Sequence, residues 1–183
     1  MITLALDTST PYLTLALRWP GGELESAERI ERAHAERLPG GVQALFAQAG
    51  LDFCAGRLVI GQGPGSYTGV RIGASYALAL ARAWEAELLG VPTLCALLSD
   101  QPGAQAPALD ARKEHVYGAL YRVEGGAVTE LRSPAKYLQS EFAALARAEG
   151  AELRPDGVPS GLSLLRAAET LGSPQPQLRL SYL

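Results

Sequence analysis

The chain has 183 residues, 48% of them hydrophobic, and a formal net charge of −3, enough to bury a good core as one domain or as two small lobes. Residues 1–100 hold ten acidic against seven basic side chains and the remainder nine against nine, with only two lysines, Lys113 and Lys136; such scattered basic charge argues against gripping RNA unaided. No apolar run reaches about 18 residues, and the opening MITLALDTST lacks the basic region and cleavage site of a secretory leader, so a soluble cytoplasmic protein is the expectation.

The first thirty residues read as a meander. ITLALD is one strand, YLTLALRW alternates Leu13, Leu15, Leu17 and Trp19 against Thr14, Ala16 and Arg18, and Pro-Gly-Gly turns into a third, more polar strand. A helix follows over 34–49, where Leu38, Val42, Leu45, Phe46 and Ala49 keep helical spacing despite Gly40 and Gly41. RLVIGQ reads as a buried strand, 70–87 as a helix and GVPTLCAL as a closing strand, with 99–107 as the linker. The pattern then returns. APALD, HVYGALYRV and AVTELRS repeat the meander, with helices over 138–149 and 161–171. Both units open on a strand ending in Ala-Leu-Asp, at Asp7 and Asp110, and both carry a Gly-Gly pair, at Gly21 and Gly125. Strand, strand, strand, helix occurring twice suggests two related lobes, the second a reduced copy holding only the meander and two helices.

Between the RLVIGQ strand and its helix lies GQGPGSYTGVRIG, 61–73. Gly-rich turns feeding a helix can cradle phosphate, but no Walker lysine is present and Ser66 occupies the third glycine position of a dinucleotide fingerprint. The alternative is a tight turn with Ser66 or Thr68 capping the helix and Gly65 free to take positive φ. Gly69, Gly73, Ala77 and Ala81 recur every four residues along that helix. This stripe lets another element approach closely, either the chain's own sheet and first helix or a second chain. His34 and His115 are too far apart in sequence for a metal-binding helix pair, Cys54 and Cys95 read as reduced core residues, and no catalytic or metal-ligating set emerges.

LALDTSTPYLTLAL, HAERLP, GQGPGSYTGVRIGASYALALA, VPTL, DARKEHVYGALY and the terminal LSYL together resemble the TsaB family of bacterial tRNA threonylcarbamoyladenosine biosynthesis proteins, most densely over 1–98. The resemblance implies an α/β fold of two RNase H-like lobes of the actin-like ATPase type. These would be 1–98 and a reduced 105–183, with the last residues packing back on the first lobe. It also implies a non-catalytic subunit that binds and activates TsaD, the enzyme placing a threonylcarbamoyl group on N6 of the adenosine beside the anticodon. The ATPase TsaE would join the pair, the chain alone would be a homodimer, and tRNA would be met only through the complex. Contacts would use the two helices of the first lobe through Leu38, Val42, Leu45, Phe46, Gly69, Val70, Gly73, Ala77 and Ala81.

In actin-like ATPases a carboxylate ending the first strand of each lobe faces Mg-nucleotide. By that resemblance Asp7, Thr8, Ser9, Asp110 and Arg112 form a nucleotide or anion contact between the lobes. No cofactor is required, and weak Mg-nucleotide binding there competes with a turn-capping role for both aspartates. Arg112, Lys113 and Glu114 stand where the second phosphate turn would be glycine-rich. The rival reading is an autonomous ATP-binding or ATP-hydrolysing enzyme of the same superfamily; a peptidase is a third.

Overall fold

The computed structural model describes residues 1–31 and 33–175. β1 (Thr3–Asp7), β2 (Tyr12–Trp19) and β3 (Gly22–Arg29) form the antiparallel meander. Helix α1 (His34–Ala49) crosses to β4 (Arg57–Gly61), parallel to β1, and α2 (Tyr67–Ala83) crosses to β5 (Glu87–Val91), parallel to β4. A 3-10 turn, Thr93–Leu97, leads to the second meander of β6 (Gly103–Asp110), β7 (His115–Glu124) and β8 (Ala127–Leu138). Then come α3 (Gln139–Ala148), β9 (Glu152–Pro155) parallel to β6, α4 (Gly161–Leu171) and β10 (Ser173–Pro174). The sheets run β10-β5-β4-β1-β2-β3 and β8-β7-β6-β9. None of these helices is long and apolar enough to cross a membrane.

The duplication is deeper than a meander with two helices. Strand β9 answers β4 and α4 answers α2, so three strands, a helix, a strand and a helix occur twice. The copies diverge after that: the short β10 crosses back to pair with β5 of the first sheet, where the Gln175 amide donates to the Leu88 carbonyl. The terminal LSYL lies outside the described residues.

Alternation along β2 sends Leu13, Leu15 and Leu17 to one face of the first sheet, where they join Leu4, Leu6, Leu58 and Ile60 beneath α1 and α2. Helix α1 holds its Pro-Gly-Gly interruption because Leu38, Val42, Leu45 and Phe46 are buried there. A Cβ at Gly41 would lie 3.0 Å from Leu13 Cδ2, so glycine lets α1 lie close on β2. On the sheet's other face, Ala5, Ala16, Val59 and Val91 share a core with Leu94, Leu109, Tyr121, Val128 and α4's Leu164 and Leu165. The two sheets therefore share one hydrophobic layer, with α4 between them. Ser160 caps α4, accepting from the Ser163 amide at 3.1 Å, and Glu25 of β3 accepts from Ser160 Oγ and the Leu162 amide.

Some local expectations are corrected. Helix α2 begins at Tyr67, earlier than the helical periodicity alone places it, because Ser66 Oγ accepts from the Gly69 amide. The closing strand is ELLGV, and TLCAL is a 3-10 turn following Pro92, which has no amide to give a strand ladder. GAQAP belongs to β6, which shortens the linker. Cys95 is buried, and burial pushes its thiol up to about 12; Cys54 is exposed rather than in the core.

Asp7 ties three elements together at the end of β1. It is 1% exposed. Its Oδ1 accepts from the Ser9 amide (2.6 Å) and Ser9 Oγ (2.7 Å), and Oδ2 accepts from Thr93 Oγ1 (2.6 Å). Thr93 Oγ1 in turn accepts from the Gly63 amide at 2.9 Å. Any Cβ at Gly61 would overlap the Asp7 carboxylate. Burial pushes the Asp7 carboxyl up, and the hydrogen bonds from Ser9 and Thr93 and the nearby His34 pull it part of the way back.

Two predictions follow from this packing. A Cβ at Gly73 would stand 2.6 Å from Thr8 Oγ1 and 3.3 Å from Leu6 Cδ1, so Gly73→Leu should destabilise the fold itself by about 1–3 kcal/mol; an unchanged urea midpoint would contradict the packing. Burial holds the Asp7 carboxyl above its ordinary 3.8 in the fold, so its stabilisation is complete below 3.8 and is lost as pH rises through the folded value. The non-ionising Asp7→Asn should therefore show a stability deficit, relative to wild type, that shrinks from acid towards neutral pH in denaturant titrations. A deficit that grows with pH would mean the fold prefers the charged carboxylate.

Candidate functional site

The glycines of 61–73 are engaged by the chain's own backbone. The Thr8–Ser9 segment leaving β1 lies along the start of α2: the Ser66 amide donates to the Ser9 carbonyl (2.7 Å), and Thr8 Oγ1 donates to the Gly69 carbonyl (2.7 Å). A Cβ at Gly65 or at Gly69 would overlap the Ser9 or Thr8 carbonyl. Gly63, with φ of 91°, takes the left-handed conformation expected of Gly65. The loop is filled by protein where a phosphate would need room.

The same geometry places the expected contact residues. Gly69, Val70, Gly73 and Ala77 are buried on α2's inner side, Leu38, Val42, Leu45 and Phe46 on α1's, and Ala81 packs half-buried on the same core. Gly69 faces the Thr8 carbonyl and Gly73 faces Thr8 Oγ1 and Leu6 Cδ1, so the first half of the small-residue stripe seats the chain's own β1 and the segment leaving it.

A cavity of about 670 Å³ does open between the lobes. Ser9, Asp110 and Arg112 line it, together with Glu31, His34, Ser66, Thr68, Tyr117 and Asp156. Asp7 and Thr8, both buried, do not. Ser9 Oγ is held by Asp7 and lies 2.9 Å from Thr93 Oγ1. Asp110 Oδ1 accepts from the Arg112 amide (2.8 Å), and Asp156 Oδ1 accepts from the Asp110 amide (3.0 Å). Among the described lining residues are three carboxylates, Glu31, Asp110 and Asp156, and one guanidinium, Arg112, with Glu31 paired to Arg29 at 2.8 Å. Arg112, Lys113 and Glu114 have φ of 64°, 51° and 59°, a left-handed turn of side-chain-bearing residues where close backbone approach to phosphate calls for glycine. The residues therefore do not fit Mg-nucleotide: one expected carboxylate is sealed beneath the floor and the second turn is crowded. No group of three or more His, Cys, Asp or Glu among the described residues could hold a metal. His34 Nε2 and His115 Nδ1 meet the backbone carbonyls of Tyr12 (3.1 Å) and Lys113 (2.7 Å).

The outer face of α1 and α2 carries a second cavity, about 620 Å³, that the small-residue stripe does not reach. Ala35, Leu38 and Pro39 form one wall and Tyr67, Thr68, Arg71, Ile72, Ser75 and Tyr76 the other. Tyr67 is 57% exposed, and burial pushes the Tyr76 hydroxyl up. Arg71 Nη1 donates to Tyr67 Oη at 2.7 Å. A signal for this face was present in the sequence: Tyr67, Arg71 and Ser75, and Thr68, Ile72 and Tyr76, share the four-residue spacing of the stripe one face round.

A model of the family described as TsaD, tRNA N6-adenosine threonylcarbamoyltransferase, matches residues 27–169. The solved structure of YeaZ from Pseudomonas aeruginosa superposes with a TM-score of 0.83 at 28% identity, covering 100% of this chain and 99% of that one. A second solved structure, an uncharacterized protein with similarity to peptidase YeaZ from Pseudomonas aeruginosa, gives 0.84 at 28%. The tRNA threonylcarbamoyladenosine biosynthesis protein TsaB of Escherichia coli is 36% identical over 129 residues, 67% of this chain and 55% of its own length. TsaB of Bacillus subtilis is 32% identical over 136 residues, 72% of this chain and 59% of its own length; the chain thus spans little more than half of these curated relatives. With the family model matched over 27–169 and the fold shared with YeaZ, the chain belongs to the family described as TsaD, tRNA N6-adenosine threonylcarbamoyltransferase, is similar to the TsaB proteins just named, and has an α/β fold of the actin-like type built on two sheets.

Proposed function

We propose that this chain is a cytoplasmic partner subunit, without chemistry of its own, that binds and activates TsaD for threonylcarbamoyl transfer to N6 of the adenosine beside the tRNA anticodon. TsaE joins the pair, tRNA is met through the complex, and the chain pairs with itself when alone. One observation carries the reading: the exposed α1–α2 face offers an apolar groove of about 620 Å³, while the lobe-to-lobe cleft has its strand-end carboxylate Asp7 buried and bonded within the fold. An apolar groove of this size with two tyrosines, Tyr67 and Tyr76, on one wall suits a docking element more than a reacting nucleotide.

The rival ATP-using enzyme lacks support in the cleft. A phosphate chain there would meet Glu31, Asp110 and Asp156. A peptidase needs an activated nucleophile, and Ser9, the hydroxyl lining the cleft from β1's end, is bonded to Asp7 rather than to an imidazole.

Ser75 is exposed on the groove wall, so Ser75→Trp should fill the docking groove and leave the core intact. In a reconstituted tRNA modification assay with TsaD and TsaE, this variant should lose both TsaD binding and stimulation while melting like wild type; full stimulation would contradict the reading. The isolated chain should show no ATP turnover above a no-protein control. Steady hydrolysis that Asp110→Asn removes would instead favour the rival.

A further inference from the structure

The α1–α2 groove is apolar or hydroxylic except at one point. Among the described residues lining it, Arg71 alone carries a charge. The exposed carboxylate of α1, Glu36, lies on the helix's other flank, in a separate groove against β2 and β3 that also holds Arg37. Arg71 is preoriented: besides the bond to Tyr67 Oη, its guanidinium carbon stands 5.2 Å from the Tyr67 ring centroid, one helical turn away. A planar fork fixed against a ring keeps donors for a carboxylate at little further loss of side-chain freedom. Any partner covering the groove removes water from that guanidinium, a cost that a carboxylate set opposite it offsets better than an uncharged acceptor does.

Two kinds of occupant offset this cost differently. A second copy docked about a two-fold axis presents the same face, in which neither groove holds an acidic residue, so each Arg71 is desolvated against uncharged side chains or the other Arg71. A different chain can place Asp or Glu opposite it. We propose that Arg71 is the specificity-determining residue of the α1–α2 face, selecting a heterologous partner whose docking element is apolar with one carboxylate set against the guanidinium, over self-association of this chain. Selection then operates through an unpaired cation in the wrong complex as much as through the ion pair in the right one. The proposal rests on reading the α1–α2 face as the docking surface.

The test uses the full chain, with TsaD as the heterologous probe in calorimetric titration and sedimentation for self-association. Arg71→Gln retains the length and hydrogen bonding but not the charge, and Arg71 is exposed, so the fold should hold. TsaD affinity should fall about 10- to 100-fold and lose most of its salt dependence, while self-association stays level or tightens. Equal weakening of both complexes would overturn the proposal, since the side chain would then be packing alone. Loss of TsaD binding in Ser75→Trp with Arg71→Gln still at wild-type affinity would overturn it and leave the docking face standing. Wild-type TsaD affinity in both variants would remove the docking face and the proposal together.

Discussion

The backbone of Thr8 and Ser9 lies against Gly65 and Gly69, with the Thr8 side chain against Gly73, and most of what distinguishes this molecule follows from that contact. The Ser66 amide, a donor at the helix start that an anion or water would otherwise meet, donates to the Ser9 carbonyl, and Thr8 Oγ1 donates to the Gly69 carbonyl. Glycine is needed because the carbonyls of those two residues occupy the space a Cβ would take. The contact also fixes the end of β1, and with it Asp7, whose carboxylate turns inward to Ser9 and Thr93. A loop whose composition suggests phosphate binding thus acts as a clamp between the first strand and the second helix. Once that clamp is closed, the helix can expose only its opposite face.

The architecture retains the duplicated plan, but its two halves differ at the strand ends. Both units supply a strand ending in aspartate, but the two carboxylates have different fates: Asp7 is buried and bonded within its own lobe, whereas Asp110 remains exposed beside Asp156. The turn after Asp110 winds left-handed through Arg112, Lys113 and Glu114, filling the space with side chains. Helix α4, the counterpart of α2, lies between the sheets and joins their cores. Hydrophobic continuity across the lobes favours a single relative arrangement over opening and closing.

Much of the fold was legible where one residue type has one mechanical use. Leu13, Leu15 and Leu17 against Thr14 and Ala16 state a half-covered strand, and β2 runs from Tyr12 to Trp19 as that alternation dictates. Helix α4 spans Gly161 to Leu171 between Ser160, which caps it, and Gly172, which ends it. Strand β9 was not legible: Glu-Leu-Arg-Pro is short and polar, and only its pairing with β6 makes it a strand. The candidate site was half legible for a related reason. Spacing of four identifies a close-packing stripe, but whether the neighbour is one's own sheet or another chain depends on Thr8, 61 residues from Gly69. The cleft residues were found by analogy at strand ends, and burial then separated Ser9, Asp110 and Arg112 from Asp7 and Thr8.

The central claim is that the working surface is the outer side of α1 and α2 and not the space between the lobes. Amide hydrogen exchange on the chain with and without TsaD, and with and without ATP, reads both surfaces in one experiment. Protection by TsaD over 35–39 and 67–76, with the cleft segments 9–11 and 110–117 unchanged by ATP, is the result this account predicts. Protection of the cleft segments by ATP alone, with the helical face unaltered by TsaD, would contradict it.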